Sequence, residues 1–153
     1  MKLLILHLSD IHVRKDTNAC LSRLDKVAPA IANEVPDVVA AVIVVSGDIA
    51  FSGAKEEYAI ALPHLQAVKT ELARRLRDVP IHCLAVPGNH DCDFRDAGSI
   101  REIVIEKLNN DPAVPFADDA CDACTAVQKE FFGFLTSYQT VTPSKEKRRV
   151  YYE

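Results

Sequence analysis

The stretch AVPGNHDCDF, residues 85–94, passes from an apolar run through a Pro-Gly turn directly into an amide, an imidazole and a carboxylate. Two earlier stretches share the arrangement: LILHLSDIH, residues 4–12, and VIVVSGDIAFSG, residues 42–53. In each, an apolar segment short enough for a strand ends in a cluster of polar side chains. The apolar segments, residues 3–8, 40–46 and 80–86, are continuous rather than alternating. That is the pattern of strands covered on both faces, as in parallel sheets.

Between these segments lie helical patterns. Leu21, Leu24, Val27, Ala28, Ile31 and Val35 recur at spacings of three and four, with Pro29 placed to kink or split the helix. Tyr58, Leu62, Leu65, Val68, Leu72 and Leu76 form a longer stripe over residues 54–76, which contains Pro63. Strand, helix, strand, helix, strand is a βαβαβ unit, so the fold class is α/β with a mainly parallel sheet of three or more strands. Parallel strands bring their carboxyl ends to one edge, where open α/β sheets bind ligands. Asp10 and His12 follow the first strand, Asp48 the second, and Asn89, His90 and Asp91 the third. Gly47, Gly53 and Gly88 sit in or beside these loops, where the backbone must turn sharply.

Further on, Ile100, Ile103, Val104 and Leu108 predict a helix over 98–110, closed by the turn residues NNDP. Ala120, Cys124, Val127, Phe131, Leu135 and Tyr138 predict one more over 119–138, and VYY begins a strand over 149–153. The chain of 153 residues thus reads as one domain, with a motif-bearing core over 1–94 and a helical region over 95–143.

Apolar residues make up 48% and charged residues 26%, a soluble globular balance. A net charge of −4 gives no support to a nucleic-acid partner. The run LLIL at 3–6 stops too soon for a signal peptide, and nothing approaches the roughly 18 apolar residues of a membrane span. A cytoplasmic protein without membrane contact is expected. Five unevenly spaced cysteines argue for reduced thiols rather than a disulfide framework. The Cys121–Cys124 pair offers two ligands where a structural zinc takes four. His7 and His82 lie within strand runs and read as core histidines with satisfied polar atoms. HCLAVPGN opens like a cysteine-phosphatase loop, but such a loop needs an arginine six positions after the thiol, where this chain has Asn89.

Two carboxylates and an imidazole facing one another repel in the absence of a counter-charge and are well suited to a divalent cation. Asn89 adds a neutral oxygen. Asp48, standing alone between the other clusters, is placed to be shared by two cations, a pair that can hold a hydroxide and clamp a phosphoryl group. His90 would then contact the phosphate or protonate the leaving oxygen, with Asp91 fixing its tautomer.

SDIH, SGDIAFSG and PGNHD, in this order and each after an apolar run, resemble the first three signature blocks of the calcineurin-like metallophosphoesterases: D-x-H, G-D and G-N-H-[DE]. The Gly53, Glu56-Glu57-Tyr58 and Leu62 pattern is similar to the bacterial cyclic-nucleotide-phosphodiesterase-like branch. The resemblance covers residues 1–94. It implies the first half of an αββα sandwich followed by helical segments, two divalent ions (Mn, Fe or Zn) and a phosphomonoester or phosphodiester substrate. It also implies that Asp10 and His12 hold one ion, Asp48 bridges both and Asn89 holds the second, while His90 and Asp91 act at the phosphate. The family completes its site with further histidines downstream, including a G-H-x-H block. Here the histidines are at 7, 12, 64, 82 and 90. We therefore expect an N-terminal part of a catalytic domain, with an incomplete site and feeble activity. The alternative is a non-catalytic interaction or regulatory module. An uncovered sheet face would in either case promote self-association or take up a companion segment.

Overall fold

The computed structural model describes residues 2–16, 18–32, 37–95, 98–111, 113 and 117–139. The strand expected over 149–153 lies outside them, as does Val35. Three strands, β1 (Lys2–Leu8), β2 (Val38–Ser46) and β3 (Ile81–Val86), form one parallel sheet in the order β1-β2-β3. Helix α1 (Leu21–Ala32) joins the first two strands and α2 (Lys55–Leu76) the next two. The α/β class and the βαβαβ order are as expected.

Neither proline ends its helix. Pro29 lies inside α1 and Pro63 inside α2. Pro63 is on the exposed side, where the carbonyl it leaves unpaired can turn to water. The opposite side of α2 buries Tyr58, Ala61, Leu65, Val68 and Leu72 at spacings of three and four, as an amphipathic helix should. They meet Leu4 and Leu6 of β1, Ala41, Ile43 and Val45 of β2, and Ala85 of β3 in one core, together with Leu21, Leu24 and Ala28 of α1. Burying a side chain the size of leucine or valine contributes about 1.5–3 kcal/mol.

Among the described residues the sheet is covered on one face, not two. The alternate residues of the strands remain exposed among the described residues, Ile5 at 60% and Leu84 at 54%, with Leu3 and Val86 beside them. His7 and His82 fall on this face as well, exposed rather than in the core, and His7 Nε2 lies 2.6 Å from Ser46 Oγ. The cause is topological: in the strand order 1-2-3, two crossovers of the same hand deliver both helices to the same face.

After β3 come α3 (Ser99–Asn110), α4 (Asp118–Thr125), a 3₁₀ turn (Ala126–Gln128) and α5 (Lys129–Tyr138). The single helix expected over 119–138 is therefore broken in the middle. The break has a structural use, since the Val127 carbonyl accepts a hydrogen bond from the Asp93 amide at 2.7 Å and so ties this segment to the loop after β3. Beyond it, Phe131, Phe132, Phe134, Leu135 and Tyr138 close the core. The stripe on α3 buries nothing, and Ile100 and Ile103 are exposed.

Tyr138 is buried at the base of this core without an oxygen or nitrogen partner for its hydroxyl among the described residues. Burial, with the Cys83 thiol beside it, holds its phenol well above the usual range. The native state thus keeps this proton more tightly than the unfolded chain does. Its contribution to stability is complete below about pH 10, where a free phenol titrates, and is lost as pH rises beyond that. Tyr138→Phe is expected to change stability at pH 7 by less than about 1 kcal/mol, since no strong hydrogen bond is lost, and to soften the alkaline loss in urea titrations.

Candidate metal centre

The register places Leu8 opposite Val45 and Ser46 opposite Val86, so all three strands end on one edge of the sheet. The first two loops then run on side by side. The His12 amide donates to the Asp48 carbonyl at 2.9 Å, the Val13 amide to the Ile49 carbonyl at 2.8 Å and the Phe51 amide to the Val13 carbonyl at 3.0 Å. Ile11, Val13, Ile49 and Ala50 are buried, and the first three each adjoin a polar residue that is less buried. In this way the alternation in SDIHV presents Asp10 and His12 outward.

The third loop is held by a carboxylate. Asp91 is fully buried. Its Oδ1 accepts from the Ala50 amide and the Tyr58 hydroxyl, each at 2.9 Å, and its Oδ2 from the Gly88 amide at 3.0 Å and the Ile49 amide at 3.3 Å. A second carboxylate folds the turn into α2: Glu57 accepts from the amides of Ser52 and Ala54 and from the Ser52 hydroxyl. Glu57 belongs to the Glu56-Glu57-Tyr58 pattern, and the bond to Asp91 explains what its tyrosine does.

Within this frame His12, Asp48 and His90 converge, each offering a ligand atom within 4.8 Å of the others. The two imidazole rings meet edge to face at 4.6 Å. Asp48 Oδ1 accepts the His90 amide at 2.9 Å. His90 Nδ1 lies 2.7 Å from the Phe51 carbonyl. A carbonyl only accepts, so this nitrogen carries the hydrogen and Nε2 keeps its lone pair. His12 Nδ1 is buried with no hydrogen-bond partner among the described residues. Two imidazoles and a carboxylate, with one imidazole nitrogen orphaned, are a donor set that fits a divalent cation such as Zn, Mn or Fe.

Asp10 reaches the cluster through His12, its Oδ1 lying 3.7 Å from His12 Nε2, while its other oxygen takes the Ser9 hydroxyl. Asn89 borders, with His90, Phe51 and Phe94, an open cavity of about 530 Å³ beside the cluster. One expectation needs correcting. Asp91 does not orient His90, because its four hydrogen bonds go elsewhere and the Phe51 carbonyl fills that place. The groups that sequence reasoning missed are the Phe51 carbonyl and the Tyr58 hydroxyl. A carbonyl has no sequence signature, and Tyr58 is visible in the sequence mainly as part of an apolar stripe. The Cys83 thiol is pushed up by burial, which is no environment for a thiolate nucleophile.

The cluster is held in a backbone conformation that L-residues rarely adopt: Asp10, His12 and Asp48 have φ of 53°, 50° and 54°. Such geometry costs on the order of 1 kcal/mol or more each and persists only where the surroundings impose it. Close approach of the second and third loops is part of that imposition. A Cβ on Gly88 would overlap the Asp48 carboxylate and stand 2.6 Å from its amide nitrogen. Gly88→Ala is therefore expected to displace Asp48 and weaken Mn²⁺ binding about 10–100-fold in calorimetry, the range seen when a ligand loses its support.

Compared with family models, residues 3–145 match calcineurin-like phosphoesterase. Compared with curated proteins, the chain has no match. The family match spans nearly the whole chain and takes in all three loops that build the cluster, so the chain belongs to the calcineurin-like phosphoesterases.

Proposed function

We propose that the protein is a phosphoesterase that hydrolyses phosphomonoesters or phosphodiesters with two divalent ions at the sheet edge. The observation that carries this is the convergence of His12, Asp48 and His90, with an orphaned nitrogen on His12, in a chain of a metal-dependent family. Cations in such a site polarise phosphoryl oxygens and lower the pKa of water. Asp10 and His12 would hold one ion and Asn89 the other, with Asp48 available to both. His90, with Nδ1 committed to Phe51, turns Nε2 toward the site, where its protonated imidazolium form would donate to the phosphate or the leaving oxygen. Asp91 acts beneath the site as the anchor of its loops. The Glu56-Glu57-Tyr58 pattern supports kinship with the bacterial cyclic-nucleotide-phosphodiesterase-like branch. All five cysteines are free, which supports a reducing compartment such as the cytoplasm. Among the described residues, no helix is long and apolar enough to cross a membrane.

Calorimetry with Mn²⁺ should show binding that Asp48→Asn weakens at least about tenfold. Any turnover of bis-p-nitrophenyl phosphate should vanish with EDTA and with the same substitution. Failure of the wild-type chain to bind Mn²⁺, Fe²⁺ or Zn²⁺, or hydrolysis that survives EDTA, would refute the proposal. Metal binding without turnover of any phosphate ester would favour the non-catalytic module.

The open sheet face bears on how the purified chain behaves. In such a preparation another copy is the nearest surface able to cover Leu3, Ile5, Leu84 and Val86. Self-association is expected in sedimentation, and Ile5→Lys with Leu84→Lys should shift the chain toward monomer.

A further inference from the structure

One cation, stacked on the Phe51 ring that borders the cluster, is held in place without an anionic partner among the described residues. Arg14 lies two residues after His12, and its backbone is clamped on both sides by one side chain: its amide donates to Asn18 Oδ1 at 2.7 Å, and its carbonyl accepts from Asn18 Nδ2 at 2.6 Å. The residue before it, Val13, is bridged to Ala50 of the second loop. Its guanidinium carbon sits 3.4 Å from the centre of the Phe51 ring. That ring is the one packed against the cluster, 5.4 Å from the His90 ring and 6.2 Å from the His12 ring.

Two of the neighbouring cations have anionic partners, while Arg101 stacks on the Phe94 ring. Lys15 pairs with Glu56 at 3.3 Å, and Arg95 pairs with Asp93. Among the described residues no carboxylate is within ion-pair distance of Arg14, and its guanidinium makes no hydrogen bond. Stacking occupies the face of a guanidinium, but its five N–H groups lie in the plane and remain available. An exposed arginine on a long, flexible stem is seldom pinned at both backbone and head. Here the clamp, the bridge and the stack together hold an unused planar fork against the Phe51 ring that packs on the cluster. A planar fork matches two oxygens of a phosphate. Were Arg14 only a cover for the Phe51 ring, its charge and fork would be dispensable.

We infer that Arg14 is a substrate-binding residue that takes the non-bridging oxygens of the phosphate ester, oriented by the Phe51 ring and the Asn18 clamp. The inference rests on the phosphoesterase reading. It is tested with phenylphosphonate, whose carbon–phosphorus bond is not hydrolysed, titrated by calorimetry into the Mn²⁺-loaded chain. Arg14→Ala should weaken phenylphosphonate binding about tenfold or more. Arg14→Lys, which keeps charge and stem but not the fork, should recover part of the loss. Asn18→Ala, which frees the loop but leaves the guanidinium, should fall between wild type and Arg14→Ala. Mn²⁺ affinity should be unchanged in all three. Wild-type phenylphosphonate affinity in Arg14→Ala with Mn²⁺ binding intact would overturn the inference, as would a wild-type chain that binds Mn²⁺ but not phenylphosphonate. A chain that takes up no Mn²⁺, Fe²⁺ or Zn²⁺ would instead refute the phosphoesterase reading, and the role of Arg14 with it.

Discussion

The Asp91 carboxylate receives two hydrogen bonds on each oxygen from three separate segments: the loop after β2, the turn after β3 and the first part of α2. An ionised carboxylate taken fully out of water is tolerated only when its lone pairs are filled, and here four donors fill them. The same bonds satisfy three loop amides that would otherwise be orphaned in the interior. Charge burial and loop closure are thus one arrangement, and everything at the sheet edge is built on it.

With that anchor in place, the loops cannot move independently. Gly88 is pressed against Asp48, and the first loop is laced to the second by a ladder of amide bonds. Left-handed backbone at Asp10, His12 and Asp48 is sustained by these contacts and turns the side chains away from their buried neighbours. A cluster of like-charged and imidazole groups is unfavourable by itself. The fold maintains it because the stabilising interactions lie just beneath, in Asp91, Glu57 and the apolar residues between the polar ones. Such a division, a buried frame carrying half-buried donors, is what preorganisation of a cation site requires.

Much of the fold was legible in the chain. The three strands and the first two helices follow from apolar periodicity, and the polar clusters lie where parallel strands must deliver them. Legibility stopped at partners. The bond from His90 goes to a backbone carbonyl of Phe51 rather than to the adjacent Asp91, because the turn that exposes the imidazole buries the next side chain. The stripe over 119–138 is continuous in sequence yet breaks at the 3₁₀ turn, where the Val127 carbonyl is drawn to Asp93. His7 and His82 read as core residues because their neighbours are apolar. Both faces of the sheet are apolar, and among the described residues only one carries helices.

The sequence by itself determined the α/β order and the edge of the sheet to which the three polar clusters are brought. These follow from local chemistry: side-chain period, turn residues, and the rule that parallel strands end together. Only the tertiary structure decided which atom each polar group would face. That covers the four donors on Asp91, the carbonyl on His90, the ring beneath Arg14 and the face of the sheet left open. Backbone groups are the same at every residue and carry no signature, so their choice of partner is settled by packing alone.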